Sequence, residues 1–258
     1  MLQATLANAT YAGCEISNYL DSNGVTEDGK WTTAAEWTDA ATATGLPAGV
    51  IVREKWTYPD TARIIVHTLI EFFTDSTNDT GDFFQFCFDP QANGGSAPQT
   101  DDFLINYTGN RRSGLTVYKG TGSGWAAWTS YVYGSELVIA ETKTSSPLNS
   151  AEHFVFELMM DRTKAEWDAS GAGYLPDIRV AVYDASNAAA GVKAWPPTSE
   201  NNPGTWALET GVYGNIPESS TILTVVLLSS VAVAVGFYSL RKRPKTAIRS
   251  TGKIGEIN

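Results

Sequence analysis

Six aspartates in two loops are the residues of this chain best suited to chemistry by type and spacing. Asp75, Asp79 and Asp82 lie in DSTNDTGD, and Asp89, Asp101 and Asp102 flank DPQANGGSAPQTDD. A hard cation takes six to eight oxygens, and a loop rich in Asp, Asn and backbone carbonyls supplies them. The expected site is Asp89, Asp101 and Asp102, holding calcium as a structural ion. The spacing is not that of an EF-hand, because the sixth position counted from Asp75 is Thr80 rather than Gly. Asp and Asn are also favoured turn formers that bond their own backbone, so a plain connection between strands stays open.

Reaction chemistry finds fewer parts. The chain has no Ser-centred elbow, no HExxH, no phosphate loop and no CxxC. Its 28 acids would allow a glycosidase pair, but no two are marked out. His67 and His153 fall in strand-like runs and read as packed side chains. No enzyme is expected. Cys14 and Cys87 permit one disulfide, while Cys87 sits in an apolar run and serves equally well as a small buried thiol.

The elements that must position these residues are short and β-rich. The runs are VIVREKWTY (50–58), ARIIVHTLIEFF (62–73), DFFQFCF (82–88), DFLINY (102–107), GLTVYKG (114–120), YVYGSELVIAE (131–141), EHFVFELMM (152–160), IRVAVYD (178–184) and TWALE (205–209), with turn signals between them. In HFVFEL, Phe154, Phe156 and Leu158 face one way, and His153, Val155 and Glu157 the other. DRTKAEWDAS (161–170) predicts one short helix. The pattern predicts an all-β domain, an antiparallel β-sandwich of jelly-roll type.

Charge is placed unevenly. The net charge is −10, yet the last 18 residues hold six Lys or Arg against the single acid Glu256, and residues 221–240 hold no charge. The body before them is therefore strongly acidic, which argues against a nucleic-acid partner. Residues 221–240, TILTVVLLSSVAVAVGFYSL, match the length of a helix that crosses a hydrocarbon core of about 30 Å. RKRPK follows at once. The expectation is a single-pass protein of the cell membrane, with the large N-terminal domain extracellular and the basic tail cytoplasmic. The opening MLQATLANATYAGCEISN lacks a basic start and an apolar core, so it is not read as a secretory signal, and a start further upstream is expected. Sequons at Asn8, Asn78 and Asn106 fall in the outside part. The division expected is an N-terminal extension (1–23), the sandwich (24–210), a stalk (211–220), a transmembrane helix (221–240) and a basic tail (241–258).

DGKWTTAAEWTDA (28–40) resembles the opening of family 9 carbohydrate-binding modules and of the related DOMON-like sandwiches. The order downstream is similar as well: DSTNDTGD, a strand running into FDP, a Gly-rich loop, DDF and a strand, GTGSGW, and the late strand EHFVFEL. The similarity covers residues 24 to 210. It implies a non-catalytic module whose partner is a glycan or polysaccharide, with structural calcium, and with Trp31 and Trp37 closing the end of the sandwich. Sugar rings in such modules stack on exposed indoles while polar side chains bond their hydroxyls. The residues expected to do so here are Trp125, Trp128, Arg111, Arg112 and Tyr107, with Trp56 and Trp167 as further candidates. Some DOMON-like relatives hold haem b, and Met159, Met160, His67 and His153 supply the ligand types. NIPESS, the apolar span and RKRPK resemble the anchoring tails of archaeal surface proteins, with Ser219 where those tails carry Phe. The alternative function is a structural or adhesive envelope protein that uses the same sandwich for contacts with other surface proteins.

Overall fold

The computed structural model describes residues 13–60, 63–168 and 176–211. They form thirteen strands: β1 (Glu15–Leu20), β2 (Ala41–Thr42), β3 (Val50–Asp60), β4 (Arg63–Phe72), β5 (Phe83–Asp89), β6 (Phe103–Thr108), β7 (Leu115–Gly120), β8 (Trp125–Ala127), β9 (Leu137–Ser146), β10 (Asn149–Asp161), β11 (Asp177–Tyr183), β12 (Lys193–Trp195) and β13 (Ala207–Gly211). The segment 161–170 yields only a 3-10 turn at Ala165–Trp167 where a short helix was expected. Its Trp167 is drawn into the aromatic core, with the indole nitrogen donating to the Asp161 carbonyl at 2.5 Å.

The strands make one curled sheet in the order β8-β7-β6-β5-β11-β13-β1-β3-β4-β10-β9, with β12 added to β11 and β2 to β3. Pairing is antiparallel except at β1. The first residues of β1 run parallel to β13, Glu15 facing Leu208, and its last two run parallel to β3, Tyr19 facing Lys55. One strand thus carries the hydrogen-bond ladder from one half of the sheet into the other. It lies inside the stretch read as an N-terminal extension, because EISNYL shows no run of alternating apolar residues to mark it.

Curling brings the two halves face to face. Phe84, Phe86 and Phe88 of β5 and Phe103, Ile105 and Tyr107 of β6 alternate inward and meet Phe154, Phe156 and Leu158 of β10 in one cluster. The Phe84 and Phe156 rings lie 4.9 Å apart. Each such side chain, taken fully out of water, contributes about 1.5–3 kcal/mol. His153, Val155 and Glu157 do point the other way, as the alternation predicts, yet they are not in solvent. The segment 25–40 lies over them: Trp31, Trp37 and Ala40 pack on Leu69 and Val155. The two indoles therefore cover the outer face of β4 and β10 instead of closing an end, since that face carries apolar groups of its own that need a cover.

Arg53 donates to the Trp37 and Ala40 carbonyls and Lys55 to the Glu36 carbonyl, and one carboxylate fastens the turn at the start of this cover. Glu157 Oε2 accepts from the backbone N–H of Asp28 and of Gly29, both at 2.9 Å, and Oε1 accepts from the Trp37 indole at 2.9 Å. Gly29 has φ +74°, and a Cβ there would sit 2.5 Å from the Glu141 backbone in β9. Only glycine allows the turn to come that close. The cysteines do not pair: Cys14 and Cys87 are both buried free thiols. The candidate span 221–240, the basic tail, Ser219 and the sequon at Asn8 lie outside the described residues. Among the described residues no helix is long and apolar enough to cross a membrane.

Candidate functional site

The strand register gathers a set of polar and aromatic groups on the outer face of the half built from β5, β6, β7, β8 and β11. Across this face Tyr118 sits opposite Leu104, Leu104 opposite Cys87, and Cys87 opposite Arg179. The neighbouring row places Asn106 opposite Gln85. Gln85, Leu104, Asn106, Tyr118 and Trp125 line an open groove of about 240 Å³. Its floor is apolar, because Leu104, Cys87 and Trp206 form a buried cluster on which Tyr118 and Trp125 rest.

Hydrogen bonding fixes which atoms face the groove. Arg179 Nη1 donates to Gln85 Oε1 at 3.1 Å, and Gln85 Nε2 donates to Asn106 Oδ1 at 3.0 Å. A guanidinium carries donors only, so Gln85 must turn its oxygen to Arg179 and its nitrogen to Asn106. Asn106 must then turn its oxygen to Gln85, which leaves the Asn106 Nδ2 hydrogens as donors without a partner among the described residues. Arg179 is held in turn by its Nε bond to the Ser199 carbonyl at 2.8 Å. Trp125 is fixed by its Nε1 bond to Asn201 Oδ1 at 2.8 Å, and its ring lies parallel to that of the buried Trp206, 6.5 Å away. An apolar floor, one oriented indole, a phenol and a directional amide row can take a flat ring on its face and hydroxyls at its edge. A second cavity of about 430 Å³, lined by Pro47, Arg179, Lys193, Pro197 and Glu200 among others, shares the Arg179 side chain.

Of the five residues expected to bind sugar, only Trp125 lies in this groove. Trp128 belongs to the opposite, inner side of the sheet, 5.0 Å from Phe103, 5.2 Å from Trp167 and 5.8 Å from Tyr131. Arg112 stacks on Tyr133, and Arg111 is exposed in the turn before it. Tyr107 is fully buried, and its hydroxyl donates to Glu141 Oε2. Burial together with that carboxylate raises the phenol well above its ordinary range, and no ring face is left for a ligand. Trp56 and Trp167 are core as well. Sequence reasoning missed Gln85, Asn106 and Tyr118. The available signal was the period of two: Asn106 alternates with the inward Ile105 and Tyr107.

The acidic loop 89–102 is tied to itself by backbone and side-chain bonds. Asp89 accepts from Gln91 N at 3.0 Å and Gly94 N at 2.7 Å, Asp101 accepts from Asn93 Nδ2 at 2.7 Å, and Asp102 accepts from Gln99 N. Burial, then the charge of Asp89, pushes Asp102 up to about 8, and the same two causes push Asp177, opposite Asp89 on β11, up to about 7. The hydrogen bonds shape the loop, while Asp102 Oδ1 is buried with no hydrogen-bond partner; the three acids do not bring one oxygen each within 4.8 Å of one another. The carboxylates that do converge among the described residues are Asp75, Asp82 and Asp184, at the other end of β5.

Both histidines have both ring nitrogens engaged. His67 bonds Glu27 Oε1 at 2.6 Å and Thr57 Oγ1 at 3.0 Å, while His153 bonds the Ala151 carbonyl at 2.8 Å and Glu71 Oε1 at 3.2 Å. Neither offers a free nitrogen to a haem iron, and Met160 is packed in the core.

No protein-family model matches the chain, and no curated protein matches it. Among solved structures the chain is similar to a family 9 carbohydrate binding module from Caldicellulosiruptor kristjanssonii in complex with cellotriose. That likeness has a TM-score of 0.47 and 11% identity, and covers 76% of this chain and 93% of that one. It is similar also to such a module from the same organism in complex with glucose, with a TM-score of 0.45, 11% identity, and 76% and 95% coverage.

Proposed function

We propose that this chain is a non-catalytic glycan-binding module and that the groove of Trp125, Tyr118, Gln85 and Asn106 is its binding surface. The observation that carries the reading is the orientation of the amides. The row from Arg179 through Gln85 ends in unpaired donors of Asn106 beside an indole, on an apolar floor. Carbohydrates combine apolar C–H faces with a rim of hydroxyls, and this surface offers a partner to each. The groove is open and smaller than the usual enclosed small-molecule pocket of roughly 300–1,000 Å³, which suits a chain lying across the sheet. The family resemblance of the sequence implies the same class of ligand. The charge-free segment 221–240 and the basic tail support a sandwich held at a membrane with this face outside the cell.

Binding of the full-length chain to a glycan array and to insoluble polysaccharides tests the reading. Trp125→Ala and Asn106→Ala should each lower retention at least tenfold with melting unchanged, while Trp128→Ala should not lower it. Retention that survives Trp125→Ala would sink the assignment. A second reading, contact with other surface proteins, is favoured by exposed large apolar side chains near the junction of β1 and β3. There Tyr19, Leu20 and Tyr58 are 43%, 51% and 43% exposed. Concentration-dependent assembly with no glycan retained would select it.

A further inference from the structure

The second cavity, of about 430 Å³, is lined by Arg179 of β11, by Lys193 and Ala194 of β12, and by Pro197, Thr198 and Ser199 of the turn that follows, among others. Through Arg179 it is bonded to Gln85 of the groove. Arg179 is only 7% exposed. Buried charges are ordinarily paired. Among the described residues, however, no carboxylate forms an ion pair with Arg179 or with Lys193. Glu200, the acid among the lining residues, is itself exposed.

The donors of the guanidinium can be followed one by one. Nε gives to the Ser199 carbonyl at 2.8 Å, and Nη1 gives to Gln85 Oε1 at 3.1 Å and lies 3.7 Å from Cys87 Sγ. Nη2 has no acceptor among the described residues and is not sealed from solvent. Its hydrogens, on a charged group held rigidly from two sides, are left for an acceptor from outside. The Lys193 ammonium is tied to the Ala48 carbonyl at 2.8 Å and to Thr74 Oγ1 at 3.4 Å, so it lends the cavity charge more than a further bond. The turn that walls the cavity carries strain. Ser199 N donates to the Pro196 carbonyl at 3.2 Å, and Thr198, third in that turn, has φ +64°. Glycine usually takes such a position, and a β-branched residue there is an outlier of the kind that gathers at ligand sites. The Thr198 hydroxyl makes no hydrogen bond among the described residues, and the same turn delivers the Ser199 carbonyl that fixes Arg179.

We propose that this cavity is an anion subsite, taking the carboxylate of a uronate residue in a polysaccharide whose neighbouring rings lie in the groove of Trp125 and Tyr118. The proposal rests on the reading of that groove as a glycan site and names the class of glycan. Arg179 Nη2 and the Thr198 hydroxyl donate to the carboxylate oxygens, and a planar guanidinium matches a planar carboxylate. From Arg179 the register passes Cys87 and Leu104 to reach Tyr118, three strand spacings or about 14 Å. A ligand that meets both ends is therefore an oligomer. The chain has a net charge of −10, so its overall field repels a polyanion. A preference for an acidic glycan has to come from this one local site.

Retention of the full-length chain is compared on polygalacturonate and on cellulose, in a sodium buffer with a chelator so that no divalent ion bridges acid to acid. The parent should hold polygalacturonate about tenfold more tightly than cellulose, as charge-assisted hydrogen bonds allow. Arg179→Gln keeps a donor for Gln85 and should erase that preference. Thr198→Gly should lower retention on polygalacturonate about threefold or more, yet melt no lower than the parent, because it relieves the strained turn. If Arg179 only orients Gln85, its replacement lowers both retentions together and leaves their ratio unchanged, and that result overturns the proposal. So does a parent that holds cellulose with no preference for polygalacturonate, or one that prefers carrageenan, whose anions are sulfate esters. Retention on polygalacturonate that survives Trp125→Ala but is lost in Arg179→Gln would overturn the groove assignment and leave the anion subsite standing. Retention of neither polymer overturns both.

Discussion

Replacing Gly29 by alanine tests the account of how the segment 25–40 is fastened. Two costs arise from the geometry. At φ +74° an L-residue loses about 1–2 kcal/mol relative to its preferred backbone. The new Cβ would also lie 2.5–2.7 Å from three backbone atoms of Glu141. Those atoms cannot yield easily, because Glu141 is paired with Phe156 inside β9 and β10. The turn must lift instead, stretching the bonds from Asp28 N and Gly29 N to the Glu157 carboxylate. Burial pushes Glu157 up to about 8, so near neutral pH these count as ordinary hydrogen bonds, worth about 0.5–1.5 kcal/mol each. Weakening both by half, added to the backbone cost, gives a loss of about 1.5–3.5 kcal/mol. At about 2–4 °C per kcal/mol for a chain of this size, the melting temperature should fall by about 3–14 °C. Gly24→Ala is the matched control. Its φ is +76°, but nothing lies within 4 Å of the Cβ position, so it should cost the backbone share alone, about 2–8 °C. Differential scanning fluorimetry of the two variants reads the difference. Equal falls would show that contact with Glu141 plays no part, and the account of the fastening would be wrong. Glycan retention should be unaltered in both, since the segment covers the half of the sheet that lacks the groove.

Two further substitutions bear on the buried polar groups. Tyr107→Phe removes the donor on Glu141 and should cost about 1–3 kcal/mol in urea unfolding while leaving retention on a glycan unchanged; lost retention at unchanged stability would return Tyr107 to the site. Burial alone would lower the pKa of His153, but its bonds to Glu71 and the Ala151 carbonyl raise it above the ordinary imidazole value. A raised folded-state pKa means that the stabilisation is complete below about pH 6.5 and is lost as pH climbs through the folded value. The melting temperature should therefore fall as pH climbs above about 6.5 and fall less in His153→Gln, and parallel pH profiles for the two proteins would contradict the pairing.

How far the sequence carries depends on the range of the signal. EHFVFELMM and DFFQFCF announce their faces by alternation, and both lie in the core as expected. β1, β8 and β12 are hidden for a physical reason. Each is short, and β1 is made a strand by partners far along the chain, as in the pairing of Glu15 with Leu208. The same distinction holds at the groove. Trp125 stands out after GTGSG, but Gln85, Asn106 and Tyr118 look like ordinary outward positions until the register sets them side by side. Asp75 and Asp82 are visible as an acidic loop, whereas Asp184 joins them only through the pairing of β11 with β5. Tyr107 and Trp128 misled because an aromatic in a strand has no sidedness until its neighbours are placed.

The position of β1 also sets an order of events during synthesis. Its N-terminal residues pair with β13 at Leu208 to Gly211, so among the described strands the first cannot finish pairing until the last has emerged. Contacts that close so large a loop are slow to form, and they leave unpaired strand edges exposed meanwhile. The hairpins β3–β4, β5–β6 and β9–β10 pair strands close in sequence and can assemble early. The two halves would then wait for β1 to be gripped between β3 and β13 as the final, locking event. The sticking point of assembly is therefore the meeting of β1 and β13.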